Sequence, residues 1–151
     1  VHVNELITAL NGTGDNYVII YPNNDTGSNL ILSEYEQLKS NIRFNFFPSL
    51  RFEHYVTLMK NARLMIGNSS AGVREAPVFG VPSINIGSRQ NNRSHYPSIV
   101  NVEDDVEQIV DAYQNLSVRP EPSLEFGVGN SANLFIETIS DFFFIYVYSP
   151  F

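Results

Sequence analysis

Ser69, Ser70, Glu75 and Arg89 are the residues whose types and spacing could do chemistry on a phosphate-bearing ligand. The two serines close the turn Gly67-Asn68-Ser69-Ser70 ahead of a helical stretch. Backbone N–H groups at a helix start lack intrahelical acceptors and attract anions. Glu75 follows about one and a half turns later, near enough to accept hydrogen bonds from sugar hydroxyls. Arg89 leaves the next strand and brings a positive charge back to the same edge. Together they outline a site for a nucleoside diphosphate. Each residue also has a plainer reading. Serine is a favoured N-cap, a lone glutamate is usually solvated, and Arg89 could pair with any of 16 acidic residues. Arg74 adjoins Glu75 and does not share its helical face. His2, His54 and His95 are scattered and have no carboxylate at triad or metal spacing, so neither a nucleophilic nor a metal site is expected.

The elements that must position these residues read as an alternating series. Val3, Leu6, Ile7 and Leu10 have helical spacing, with an end expected by Gly12. Tyr17 to Tyr21 is a β-prone run and the first visible strand. The spacing predicts a helix over Leu30–Leu38, capped by Ser28 or Asn29, then a Phe-rich strand over Ile42–Phe47 and a helix from Phe52 to Asn61. Leu64-Met65-Ile66 is a short apolar run, as in a strand buried on both faces. Ala71 to Phe79 is expected as one short helix, stopped at Gly80 ahead of Pro82. Ser83 to Ile86 is the next strand. Gln90 to Pro97 is polar and expected as a flexible loop, followed by an edge strand at Ile99–Val102. A helix over Val106–Leu116 is opened by Asp104 or Asp105, and Arg119–Gly129 is a Pro- and Gly-containing crossing segment. The last helix starts at Ser131 and carries Ala132, Phe135, Ile136 and Ile139.

Repeated strand–helix alternation predicts an α/β fold, a Rossmann-like parallel sheet with helices on both faces. Right-handed crossovers then gather the loops that follow the strands at one carboxyl edge. Asn23, Leu50, Ser69, Ser70, Glu75 and Arg89 converge there.

With 151 residues, 43% of them hydrophobic and 17% charged, the chain reads as a single folded domain. A net charge of −7 excludes a general nucleic-acid surface, although Arg74, Arg89 and Arg93 could still hold one diphosphate. The absence of cysteine excludes disulfides and thiolate metal sites, and fits a cytoplasmic protein. No signal peptide or long apolar span is present, so no membrane is expected. The opening in a helix rather than a strand is read as a piece that begins after its first strand, one domain of a larger protein. Residues 141–151 are dense in aromatics and show no helical face. This tail is expected to stay out of the sheet's core and to be prone to aggregation.

Gly67-Asn-Ser-Ser-Ala-Gly-Val-Arg-Glu75, Phe79-Gly-Val-Pro82, and Asn85-Ile-Gly-Ser-Arg-Gln90 with Arg93 resemble the UDP-N-acetylglucosamine 2-epimerases. The hydrolysing kind, which opens sialic-acid-type synthesis, is the best match. Tyr21-Pro-Asn-Asn-Asp-Thr-Gly-Ser28 and Phe126-Gly-Val-Gly-Asn-Ser-Ala132 resemble that family's flanking motifs in the same order. The likeness covers about Val18 to Phe135, and its specificity comes from the agreement of separate motifs.

The resemblance implies the carboxy-terminal half of a two-domain GT-B-type fold, with the amino-terminal domain as its missing partner and a homo-oligomeric parent. Its ligand would be UDP-N-acetylglucosamine or a related UDP-sugar, and no cofactor is implied. Asn23 would sit beside the uridine, and Leu50 would present backbone to the uracil. Ser69, Ser70 and Arg89 would hold the diphosphate as it departs, an electrostatic role. In the implied reaction the sugar is deprotonated at C2, UDP is eliminated, and water adds to give the free 2-epimeric sugar. Its acid and base groups, carboxylates and a histidine, match no position here. Two other classes stay open: a GT-B glycosyltransferase domain and a non-catalytic nucleotide-binding module.

Overall fold

The computed structural model describes residues 3–22, 27–116 and 119–141. The aromatic tail at 142–151 and Asn23 lie outside the described residues. Helix α1 (Val3–Thr13) leads into strand β1 (Tyr17–Ile20) and helix α2 (Ser28–Tyr35), which tightens into a 3-10 turn at Glu36–Leu38. Strand β2 (Phe44–Phe47), helix α3 (Phe52–Asn61), strand β3 (Met65–Gly67) and helix α4 (Ala71–Arg74) follow. Strands β4 (Ser83–Ile86) and β5 (Ile99–Val102) precede helices α5 (Val106–Asn115) and α6 (Ser131–Asp141).

Among the described residues all strand pairings are parallel, as the alternation predicts. The strands nevertheless form two sheets rather than one ladder: β1 with β2, and β3-β4-β5 with β5 at the edge. The residues just before β1 and β3 touch. Arg63 Nη1 donates to Asp15 Oδ2 at 2.7 Å, and the Tyr113 hydroxyl donates to the same oxygen. Tyr113 and Arg63 draw the Asp15 carboxyl below its ordinary range, Tyr113 having the larger effect.

Helices cover both faces of the three-stranded sheet. Alternation in β4 sends Ile84 and Ile86 toward Ala9 of α1 and Ile109, Ala112 and Tyr113 of α5. The opposite face meets α3 and α4, where Met59, Ala71, Ala76 and Val81 cluster. Val3, Ile7 and Leu10 of α1 also cover Phe44 of β2, so α1 lies under both sheets. Ile84, Ile86 and Ile109 are among the largest fully buried side chains, each contributing about 1.5–3 kcal/mol by burial.

Several boundaries differ from expectation for local reasons. Helix α1 runs through Gly12 to Thr13, whose hydroxyl donates to the Leu10 carbonyl. The cap of α2 is Gly27 in the left-handed region, φ 92, so Ser28 and Asn29 are already helical. Ala71–Phe79 is not one helix: α4 ends at Arg74, and Ala76–Phe79 is a 3-10 turn. Pro77 explains the break, since it has no N–H to give Val73 and its ring crowds that carbonyl. Gly80 does end the segment, at φ 63; a Cβ there would lie 2.5 Å from the Pro120 carbonyl oxygen. Asp105 caps α5, its carboxylate accepting from the Gln108 N–H at 2.9 Å.

Candidate functional site

The parallel order sets Leu50 in the loop after β2, Ser69 and Ser70 in the loop after β3, and Arg89 in the loop after β4. The serine turn is more self-satisfied than its sequence suggests. Ser69 Oγ accepts from the Ala71 N–H at 3.3 Å, and Gly72 and Val73 donate to the Ser69 and Ser70 carbonyls, each at 3.1 Å. Ser70 stands at the cap position but makes no side-chain cap bond. The N–H groups of Ser69 and Ser70 themselves donate to no protein acceptor among the described residues. Any anion at this turn would therefore meet those two amides and the serine hydroxyls, not the first amides of α4.

Gln90 joins this turn to the loop that carries Arg89. Its Nε2 donates to the Asn68 carbonyl at 2.9 Å, and the side chain is only 3% exposed. Its Oε1 is buried without a protein partner. Arg89 is exposed, one residue before this latch. Beneath the turn, Ser83 Oγ and Asn85 Oδ1 are likewise buried without protein partners. Both residues line a pit of about 10 Å³ with Gly67, Ser69 and Gly72. Gly72 is tight there, since a Cβ would stand 3.4 Å from Ser83 Oγ.

Glu75 falls at the break between α4 and the 3-10 turn, and its side chain is exposed. Tyr55 of α3 is its neighbour in charge: burial first, and the Glu75 carboxylate second, push the phenol up to about 12. Tyr55 packs on the Met59–Val81 cluster, and Leu50, in the loop before α3, is half-buried. Arg74 turns elsewhere, its guanidinium lying 5.7 Å from the centre of the Phe126 ring. Arg93 and His95 are exposed in the following turns.

The polar stretch after Gln90, expected as a flexible loop, is tied down. Ser94 Oγ donates to Glu125 Oε2 at 2.6 Å, and the Tyr96 hydroxyl donates to the Glu121 carbonyl at 2.8 Å. Arg119 anchors the same crossing segment from its other end, donating through Nε to the Gly80 carbonyl at 3.2 Å and through Nη2 to the Lys60 carbonyl. Gln90 and Phe126 are residues to which sequence reasoning gave no role of their own, whereas Tyr55 had been read with Leu50 as core filler. Gln90 stood beside Arg89 in a quoted motif, but nothing in its spacing marked it as buried. Among the described residues, no group of three or more His, Asp or Glu could hold a metal ion. No described helix is long and apolar enough to cross a membrane.

A parallel α/β unit with helices on both faces, and its polar loops gathered at the carboxyl edge, defines the class of open-sheet, doubly wound α/β domains. The chain belongs to the UDP-N-acetylglucosamine 2-epimerase family, whose model matches residues 1–140. A UDP-N-acetylglucosamine 2-epimerase of Neisseria meningitidis is 50% identical over 106 residues, which is 70% of this chain and 28% of that protein. The GDP/UDP-N,N'-diacetylbacillosamine 2-epimerase (hydrolyzing) of Campylobacter jejuni is 44% identical over 75 residues, 50% of this chain and 19% of that protein. The chain thus spans only about a quarter or less of the length of these relatives. In fold it is similar to the Methanocaldococcus jannaschii UDP-GlcNAc 2-epimerase solved in complex with UDP-GlcNAc and UDP. The TM-score is 0.77 at 18% identity, over 92% of this chain and 39% of that one.

Proposed function

We propose that this chain is the UDP-binding part of a hydrolysing UDP-N-acetylglucosamine 2-epimerase. The longer protein releases UDP and N-acetylmannosamine, or a related 2-epimeric sugar, for sialic-acid-type synthesis. Ser69, Ser70 and Arg89 hold the diphosphate, Glu75 accepts from the ribose hydroxyls, and Asn23 and Leu50 flank the base. The observation that carries this reading is the Gln90 latch, because it fixes the serine turn against the loop of the cation. Two loops held together in this way can keep hold of a diphosphate while its bond to the sugar breaks, when negative charge accumulates on the leaving oxygens. The hydrolysing type is supported by the Campylobacter relative, whose name carries that word. A glycosyltransferase domain is no longer a competing reading, since the family match covers nearly the whole chain.

The acid and base groups come from outside this chain. Residues 1–151 alone therefore give no turnover, because loss of general acid–base groups typically costs about 10²–10⁴ in rate. The test is incubation of the longer protein with UDP-N-acetylglucosamine and no acceptor. Free N-acetylmannosamine with one UDP per sugar is expected. Conversion to the 2-epimeric UDP-sugar without release of UDP would assign the non-hydrolysing type.

A further inference from the structure

Strand β4 carries two polar side chains on a face where a buried parallel strand normally carries apolar ones. Ile84 and Ile86 pack against α1 and α5, so alternation turns Ser83 and Asn85 to the other face, toward α4. Ser83 is 1% exposed and Asn85 3%. Asn85 spends its amide nitrogen on Asn101 Oδ1 of β5, at 2.7 Å, which leaves Oδ1 as its remaining polar atom. That oxygen and Ser83 Oγ meet no protein partner. Both residues line the pit of about 10 Å³ under the serine turn.

The lining decides what fits there. Strand β3 forms one side of the pit, and Ser69 and Gly72 stand over it. Gly72 keeps the space open, since a Cβ there would touch Ser83 Oγ at 3.4 Å and Met65 Sδ at 3.9 Å. A space of this size holds about one water molecule, provided that polar partners surround it. No charged side chain lines the pit, so a bare metal ion would lose its hydration without compensation. A water finds three partners. It can donate to Asn85 Oδ1 and exchange a hydrogen bond with the Ser83 hydroxyl. Ser69 Oγ already accepts from the Ala71 N–H, so its own hydrogen is left to donate.

We propose that the pit holds one ordered water, and that Ser83 and Asn85 act through it as positioning residues for the serine turn. The turn then has two holds: Gln90 Nε2 on the Asn68 carbonyl, and the water from beneath. The water fixes the height of the turn above β4, and with it the direction in which the Ser69 and Ser70 amides and hydroxyls are presented. The positioning role rests on the diphosphate reading of this turn, whereas the water itself does not.

Diffraction from crystals of the longer protein reads the water directly. One peak within hydrogen-bonding distance of Ser83 Oγ and Asn85 Oδ1 is expected, and it should be lost in Gly72→Ala, whose methyl group takes its place. A pit without density in the unaltered protein would overturn the proposal. Titration of UDP, with urea unfolding alongside, reads the positioning role. Gly72→Ala and Ser83→Ala should each lower the UDP affinity roughly three- to tenfold, the loss of one neutral hydrogen bond. Both act on the same water, so the double variant should bind no worse than the weaker-binding single one. Shifted unfolding midpoints with unchanged UDP affinity would overturn the positioning role, as would effects that multiply in the double variant. If the unaltered protein binds no UDP, the diphosphate reading fails and the positioning role fails with it, while the diffraction result still decides the water.

Discussion

Replacing Gln90 with leucine should separate the stability of the domain from its grip on a nucleotide. The side chain is 3% exposed and donates one bond, Nε2 to the Asn68 carbonyl at 2.9 Å. Losing that donor leaves a carbonyl without its partner, at a cost of about 1–3 kcal/mol. The same substitution removes Oε1, which is buried without a protein partner, and relieves a desolvation penalty of about 1–3 kcal/mol. Leucine is also of similar volume and leaves no large cavity. The two terms oppose each other, so the net stability change should stay within about 1 kcal/mol. Binding has no such compensation, because the serine turn is no longer held against the loop of Arg89. UDP affinity should therefore fall about tenfold, or 1.4 kcal/mol. Gln90→Glu should be the worse variant in both respects, since a buried carboxylate would face the Asn68 carbonyl and repel the diphosphate proposed at this turn. Urea unfolding and calorimetric titration of UDP on the longer protein measure the two quantities. A loss of stability above about 3 kcal/mol for Gln90→Leu, or an unchanged UDP affinity, would refute the reasoning.

Two further outcomes follow from the scaffold. Asp15 has a folded-state pKa below its ordinary value, so its contribution to stability is present above the unfolded pKa and is lost as pH falls through the folded one. Asp15→Asn should thus cost about 0.5–1 kcal/mol near pH 7 and nothing at strongly acid pH; an equal cost at both, in urea unfolding, would mean that charge is not involved. Gly80→Ala puts a Cβ 2.5 Å from the Pro120 carbonyl oxygen at φ 63 and should destabilise by about 2 kcal/mol or more. A melting temperature unchanged by that substitution would mean the crossing segment does not press on Gly80.

Local signals in the sequence gave the element series. The helix at Phe52–Asn61, the strand at Ser83–Ile86 and the Asp105 cap lie where apolar spacing and capping chemistry put them. The break at Glu75 was legible too, in Pro77, which a helix interior does not tolerate. The division into two sheets was not legible, because which strand lies beside which depends on residues distant in sequence. At the site, the order of the loops followed from strand–helix alternation. The destinations of side chains did not. Arg74 finds Phe126 and Gln90 finds Asn68 only after folding, and neither pairing leaves a periodic trace. The self-bonded serine turn agrees with the plainer capping reading of the serines, Ser69 Oγ meeting the Ala71 amide within the turn itself.

The most direct measurement of the central claim is titration of UDP against three variants of the longer protein that carries this chain. Glu75→Ala removes the proposed acceptor for the ribose hydroxyls and should weaken binding by roughly 1.5–3 kcal/mol. Arg89→Ala should cost a comparable amount and flatten the salt dependence, since it removes the cation proposed to hold the phosphates. Arg74→Ala should change little, because that guanidinium lies against Phe126. An Arg74 effect equal to that of Arg89, or full affinity without the Glu75 carboxylate, would contradict the account and put the nucleotide elsewhere.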